Sequence, residues 1–130
     1  MGDGKPLLDW PALVARANDD GEFRLHARFW NARLRIGIGD QDTRLDVRDG
    51  ALASAERWGG GIAADLLVTA PEPEWEALLA HVPKPFYQDL QAATVHHGFR
   101  VSGDTRHYCA YYPALRRLIE LMREVRHGAV

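Results

Sequence analysis

Apolar residues recur along this chain with two alternating intervals, one helical and one strand-like. Near the N-terminus Leu7, Trp10, Leu13, Val14 and Ala17 keep the three-to-four-residue spacing of a helix face. The pattern predicts a helix over residues 7–18, capped by Asp9 or opened by Pro6, and stopped by the turn-prone run Asn18-Asp19-Asp20-Gly21. From Phe23 the interval reads as two. Phe23, Leu25, Ala27 and Phe29 alternate with Arg24, His26 and Arg28, which predicts a strand over residues 22–29. Leu34, Ile36 and Ile38 predict a second over 33–38, and Thr43, Leu45 and Val47 a third over 43–48. Asp49-Gly50 then marks a tight hairpin, because both residues tolerate positive φ. Residues 51–58 continue the meander less regularly, since Ala51, Ala53 and Ala55 are poor strand formers.

After the break at Gly59-Gly60-Gly61, residues 62–69 read as a further strand that ends at Ala70-Pro71-Glu72-Pro73. Two short helices follow, over residues 74–80 (Trp75, Leu78, Leu79 inward) and from about 85 to 94 (Phe86, Leu90, Ala93 inward). Phe99 and Val101 mark the last strand. Leu115, Leu118, Ile119, Met122 and Val125 then stripe a closing helix from Tyr112, with Pro113 in its first turn and residues 127–130 expected to fray. This order predicts a single α+β domain, its core at about 22–126, with helices on one face of one sheet.

Composition narrows the function classes. A net charge of −2 removes the basic excess expected of a nucleic-acid binder, so no nucleic-acid partner is expected. No window is long and apolar enough for an integral membrane segment, and the N-terminus lacks the pattern of a signal peptide. The lone Cys109 precludes an internal disulfide and fits a reducing compartment, which predicts a cytoplasmic protein. Self-association into a homodimer is left open.

Several local motifs define the alignment with known families. Ala64-Asp65 precedes Leu66-Leu67-Val68, Trp75 lies in the first short helix, and Gly98-Phe99-Arg100-Val101-Ser102-Gly103-Asp104 precedes the apolar closing helix. This sequence of features resembles the sterol-carrier-protein family from roughly residue 22 to residue 124. The resemblance implies a five-stranded, mostly antiparallel sheet covered by helices that enclose an apolar tunnel for lipids or other hydrophobic ligands. No catalytic set carries over with it, and the residue spacings lead to no expected metal or cofactor. On this reading the tunnel is lined by Leu34, Ile36, Leu66, Val68, Phe86, Leu90, Leu115 and Ile119, with Tyr108 and Tyr112 near its mouth. The Pro-rich run His81-Val82-Pro83-Lys84-Pro85 and residues 105–112, read as an insertion ahead of the closing helix, depart from the family pattern.

Other chemistry is sparse. His107 and Cys109 stand too close in sequence to face each other on a helix, and Cys109 reads as a buried, inert thiol. His96 and His97 read as solvated side chains at a strand start rather than metal ligands. Asp40 and Asp42 read as solvated turn residues, and Trp30, Trp58 and Trp75 read as ordinary core residues or, alternatively, as walls of a cavity. The leading expectation is therefore non-catalytic binding of a hydrophobic molecule. Two alternatives stand beside it. One is a small isomerase or cyclase acting on a polyketide or steroid-like substrate, using Tyr108, His107 and Asp65 or Asp104 as acid and base. The other is an interaction module that docks an acidic partner on a sheet face carrying Arg24, Arg28, Arg33, Arg35, Arg44 and Arg48.

Overall fold

The computed structural model describes residues 7–61 and 63–128. Its elements are α1 (Trp10–Asn18), α2 (Gly21–Ala27), β1 (Ala32–Ile38), β2 (Gln41–Arg48), β3 (Ala51–Arg57), β4 (Leu66–Ala70), α3 (Glu72–Leu78), α4 (Leu90–His96), β5 (Arg100–Gly103) and α5 (Thr105–His127). The strands form one five-stranded sheet in the order β3-β2-β1-β4-β5. Neighbours are antiparallel except β1 and β4, which run parallel.

Asp9 caps α1, accepting from the Ala12 amide at 3.1 Å. Pro6, the other candidate, lies outside the described residues, as does Ile62. The first predicted strand is instead helix α2. Asp20 folds back to accept from the Phe23 amide at 2.8 Å, which starts the helix. Phe23 and Ala27, four residues apart, are then buried, while Leu25 and Phe29 are 55% and 80% exposed. Alternation over so short a run contains the helical interval as well, and the capping carboxylate decides between them. Arg24 and Arg28 therefore sit on or beside a helix, not on the sheet face expected for them.

The hairpin forms as expected, with Asp49 at φ 50° and Gly50 at φ 79°. Residues 51–57 do complete the meander as β3, paired with β2 through a bulge at Asp46/Val47. Register sorts the sheet into two faces. Leu34 opposes Leu45 and Leu66, and Ile36 opposes Thr43 and Val68, so these side chains share the face under the helices. The opposite face carries Arg33, Arg35, Arg44 and Arg48 among carboxylates. Arg35 pairs with Asp42 at 2.7 Å and Arg44 with Asp46 at 2.9 Å.

The helical layer departs from expectation in three places. First, α4 begins at Leu90 behind the cap Asp89, not near Pro85; Phe86 precedes it with φ 68° and is 48% exposed. Second, residues 105–112 are not an inserted loop. They form the first part of α5, which Asp104 caps and which bends at Tyr111 (φ −117°, ψ 19°), two residues before Pro113. A proline there lacks the amide that would bond one turn back, so the helix kinks rather than starting at that point. Third, His127 and Gly128 are held rather than frayed: the His127 ring lies 2.6 Å from the Leu79 carbonyl, and Gly128 closes the helix in the left-handed region, while residues 129 and 130 lie outside the described residues.

Candidate functional site

The core between sheet and helices is filled. Leu34, Ile36, Leu66 and Val68 from the sheet and Leu90, Leu115 and Ile119 from the helices are all at most 4% exposed. The expected tunnel-lining side chains are thus brought into one apolar cluster, except Phe86, which lies outside it with its ring stacked on His96 at 3.8 Å. Tyr87, beside it, stacks on His97 at 3.6 Å. Both histidines stand at the end of α4 rather than at a strand start, His96 exposed as expected and His97 half-buried against Tyr87.

Beside this cluster a cleft of about 190 Å³ opens at the β5 edge of the sheet. Leu66 and Val101 supply its sheet wall, Gln91 and Thr94 its α4 wall, and Thr105 and Tyr108 its α5 wall. Two expected residues, Leu66 and Tyr108, line it. Gln91, Thr94, Val101 and Gly103 also line it and were missed by sequence reasoning. The available signal was the polar pair Gln91 and Thr94, three apart on one face of a helix.

Tyrosines on α5 lock α4 in place over this cleft. The Tyr108 hydroxyl donates to Gln91 Oε1 at 2.7 Å. The Tyr112 hydroxyl accepts from the Gln91 amide at 2.9 Å and donates to Asp89 at 3.3 Å, while Asp89 caps α4 through the Ala92 amide at 2.8 Å. Tyr112 thus serves the helix start and does not line the cleft. Burial pushes the Tyr108 phenol up to about 12, helped by the neighbouring Tyr112 and Asp89. Tyr112 is raised in the same direction, again chiefly by burial.

Around Tyr108 on α5, the remaining polar groups also have structural partners. Trp30, 1% exposed, donates from Nε1 to His107 Nδ1 at 2.9 Å and stacks on Tyr111 at 4.8 Å. Asp65 accepts from the Arg33 amide at 2.7 Å, and Asp104 accepts from the Arg106 amide at 2.9 Å. Cys109, expected to be buried, is exposed. No group of three or more His, Cys, Asp or Glu side chains arranged for a metal ion occurs among the described residues. No helix among them is long and apolar enough to cross a membrane.

No family model matches the sequence, and no curated protein matches it. Solved structures do match the fold. A crystal structure of sterol carrier protein 2 superimposes with a TM-score of 0.72 at 21% identity, over 88% of this chain and 93% of that one. A conserved hypothetical protein from Thermus thermophilus, described as possibly a sterol carrier protein, gives 0.68 at 22% identity over 88% and 83%. The ubiquinone synthesis protein UbiJ-SCP2 gives 0.56 at 19% identity over 85% and 86%. The chain has the sterol-carrier-protein fold, an α+β architecture with a mostly antiparallel five-stranded sheet.

Proposed function

We propose that this domain binds a hydrophobic small molecule or lipid between its sheet and its helices, and carries it without transforming it. The observation that carries this reading is the cleft at the β5 edge, where Leu66 joins an apolar floor to the core and Tyr108 places a hydroxyl beside it. An apolar ligand entering there gains about 25 cal/mol for each Å² withdrawn from water. The likeness to sterol carrier protein 2 supports the same reading at the level of fold.

At about 190 Å³ the cleft is smaller than the roughly 300–1,000 Å³ of typical ligand sites. A whole lipid therefore enters only as α4 and the first part of α5 move off the sheet, with Leu90, Leu115 and Ile119 becoming part of its lining. Such movement breaks the Tyr108–Gln91 and Tyr112–Asp89 bonds first. The reading keeps the protein a cytoplasmic carrier, in line with its single exposed thiol.

The test is native mass spectrometry of the full chain purified from cells, with identification of any released species, followed by titration with a fluorescent fatty acid. Saturable one-to-one binding that Val101→Trp reduces by about tenfold or more supports the proposal. No bound species, together with no saturable binding of either a fatty acid or a sterol probe, would sink it.

A further inference from the structure

None of the side chains lining the cleft at the β5 edge carries a charge. Its polar groups are the carboxamide of Gln91, the hydroxyls of Thr94 and Thr105 and the phenol of Tyr108. The two helix starts beside it offer little to an anion, because each is closed by groups of this chain. At α4, Asp89 accepts from the Ala92 amide at 2.8 Å, and the Tyr112 hydroxyl accepts from the Gln91 amide at 2.9 Å. At α5, Asp104 accepts from the Arg106 amide at 2.9 Å and from its guanidinium at 3.2 Å. Arg106, the first cation along α5, is thereby committed, and its side chain is 91% exposed.

Burial is the main reason the Tyr108 phenol is raised, and Tyr112, Asp89 and Cys109 add to the shift; no cation offsets them. Surroundings that hold a phenol neutral also disfavour a bound carboxylate. Such an anion sheds water there without a cation to receive it, and an ammonium finds no carboxylate in the lining. Hydrogen bonding points the same way. The Thr94 hydroxyl is committed to the Gln91 carbonyl of its own helix at 2.7 Å, which leaves the Tyr108–Gln91 pair, also 2.7 Å apart, as the polar feature shared by α4 and α5. A hydroxyl group entering that pair accepts from Tyr108 and donates to Gln91 Oε1, so both partners stay satisfied. A carboxylate has no proton for Oε1, and an ammonium has no lone pair for the phenol.

We propose that the molecule taken up here is an uncharged amphiphile with a hydroxyl group, that Tyr108 and Gln91 read that group, and that free fatty acids are discriminated against. The hydroxyl sits between α4 and α5, and the apolar body lies against Leu66 and Val101. This assignment rests on the carrier reading and names the class of molecule carried.

The experiment is calorimetric titration of the full chain at neutral pH with three probes that share one alkyl chain: 1-decanol, decanoate and decylammonium. Decanol is expected to saturate the site and to bind at least about tenfold more tightly than either ion. Gln91→Leu, at an exposed position, weakens decanol by about three- to tenfold. Thr94→Lys, which sets a cation in the lining, brings decanoate level with decanol or ahead of it. Saturable binding in which either ion equals or exceeds decanol in the parent overturns the assignment and leaves the carrier reading standing. So does indifference of decanol to Gln91→Leu in a variant that melts like the parent. No saturation by any of the three also overturns the assignment, and the carrier reading falls with it only if the longer fatty-acid and sterol probes fail too.

Discussion

Arg117 on α5 holds Asp20, the cap of α2, through two hydrogen bonds of 2.9 Å each, Nε to Oδ2 and Nη2 to Oδ1. Asp20 is only 7% exposed, and Arg16 reaches the same carboxylate at 3.3 Å. One side chain therefore starts a helix and ties it to the element that closes the chain. Asp20→Ala removes both roles and leaves Arg117 with Glu120 at 3.0 Å as its nearest carboxylate, so it is expected to cost about 2 kcal/mol, measured by denaturant unfolding.

The hydrogen bond from Arg117, aided by the Phe23 amide, holds the Asp20 carboxyl well below its ordinary value of 3.8. Its folded pKa is lowered, so its contribution is fully present above the ordinary value and is lost as the pH falls below it. The melting temperature should drop as the pH falls below about 4. Asp20→Ser keeps a capping oxygen and removes the charge, and it should flatten that part of the profile.

At the alkaline end the sign reverses. Tyr108 is raised to about 12, and Tyr87 and Tyr112 also lie above their ordinary 10.0. Each neutral phenol favours the folded state below the ordinary value, and that advantage is lost as the pH rises through the raised one. An ultraviolet titration of the phenols should show a late component above the ordinary range. Tyr108→Phe should remove the last part of it.

Trp30 depends on His107 for an acceptor. His107→Leu leaves a buried indole N–H unpaired and should cost about 1–3 kcal/mol. His107→Gln, whose carbonyl can accept in its place, should recover part of the loss. Denaturant midpoints for the two variants check this, and equal midpoints would show that the hydrogen bond contributes nothing.

Gly103 sits at φ 115°, and a Cβ there would run into the carbonyl of Asp65. That carbonyl also accepts from the Asp104 amide at 2.8 Å, so it cannot withdraw without loosening the start of α5. Gly103→Ala is expected to cost about 3 kcal/mol or more, read from thermal melts.

These cases show which parts of the molecule the chain made readable. Gly103 and Asp104 were legible as the turn that ends the last strand, but not as the start of a helix, because the apolar stripe becomes regular only after Tyr112. The meander was legible because Leu34, Ile36, Leu45 and Val47 alternate and Asp49-Gly50 forces a hairpin. Helix α2 was misread because Phe23, Leu25, Ala27 and Phe29 fit the strand interval, and only the position of Asp20 relative to Phe23 breaks the tie. The start of α5 was misread because Pro113 looks like a first-turn residue, whereas the helix runs through it with a bend. The cleft at the β5 edge was not legible as a site. It needs Val101 beside Thr94, a juxtaposition that arises only when separate segments pack.

The parallel pairing of β1 with β4 also imposes an order of assembly. β1, β2 and β3 follow one another through tight turns and can zip together from local contacts alone. β4 and β5 join only after the chain has crossed back over the sheet, because Leu34 must find Leu66 and Val68 must find Val101. Until then the far side of β1 is an unpaired row of amides and carbonyls flanked by Leu34 and Ile36. The strand at the centre of the finished sheet is an edge in the half-built one, and so the segment most shielded in the native protein is the one most exposed to mispairing while the chain is still folding.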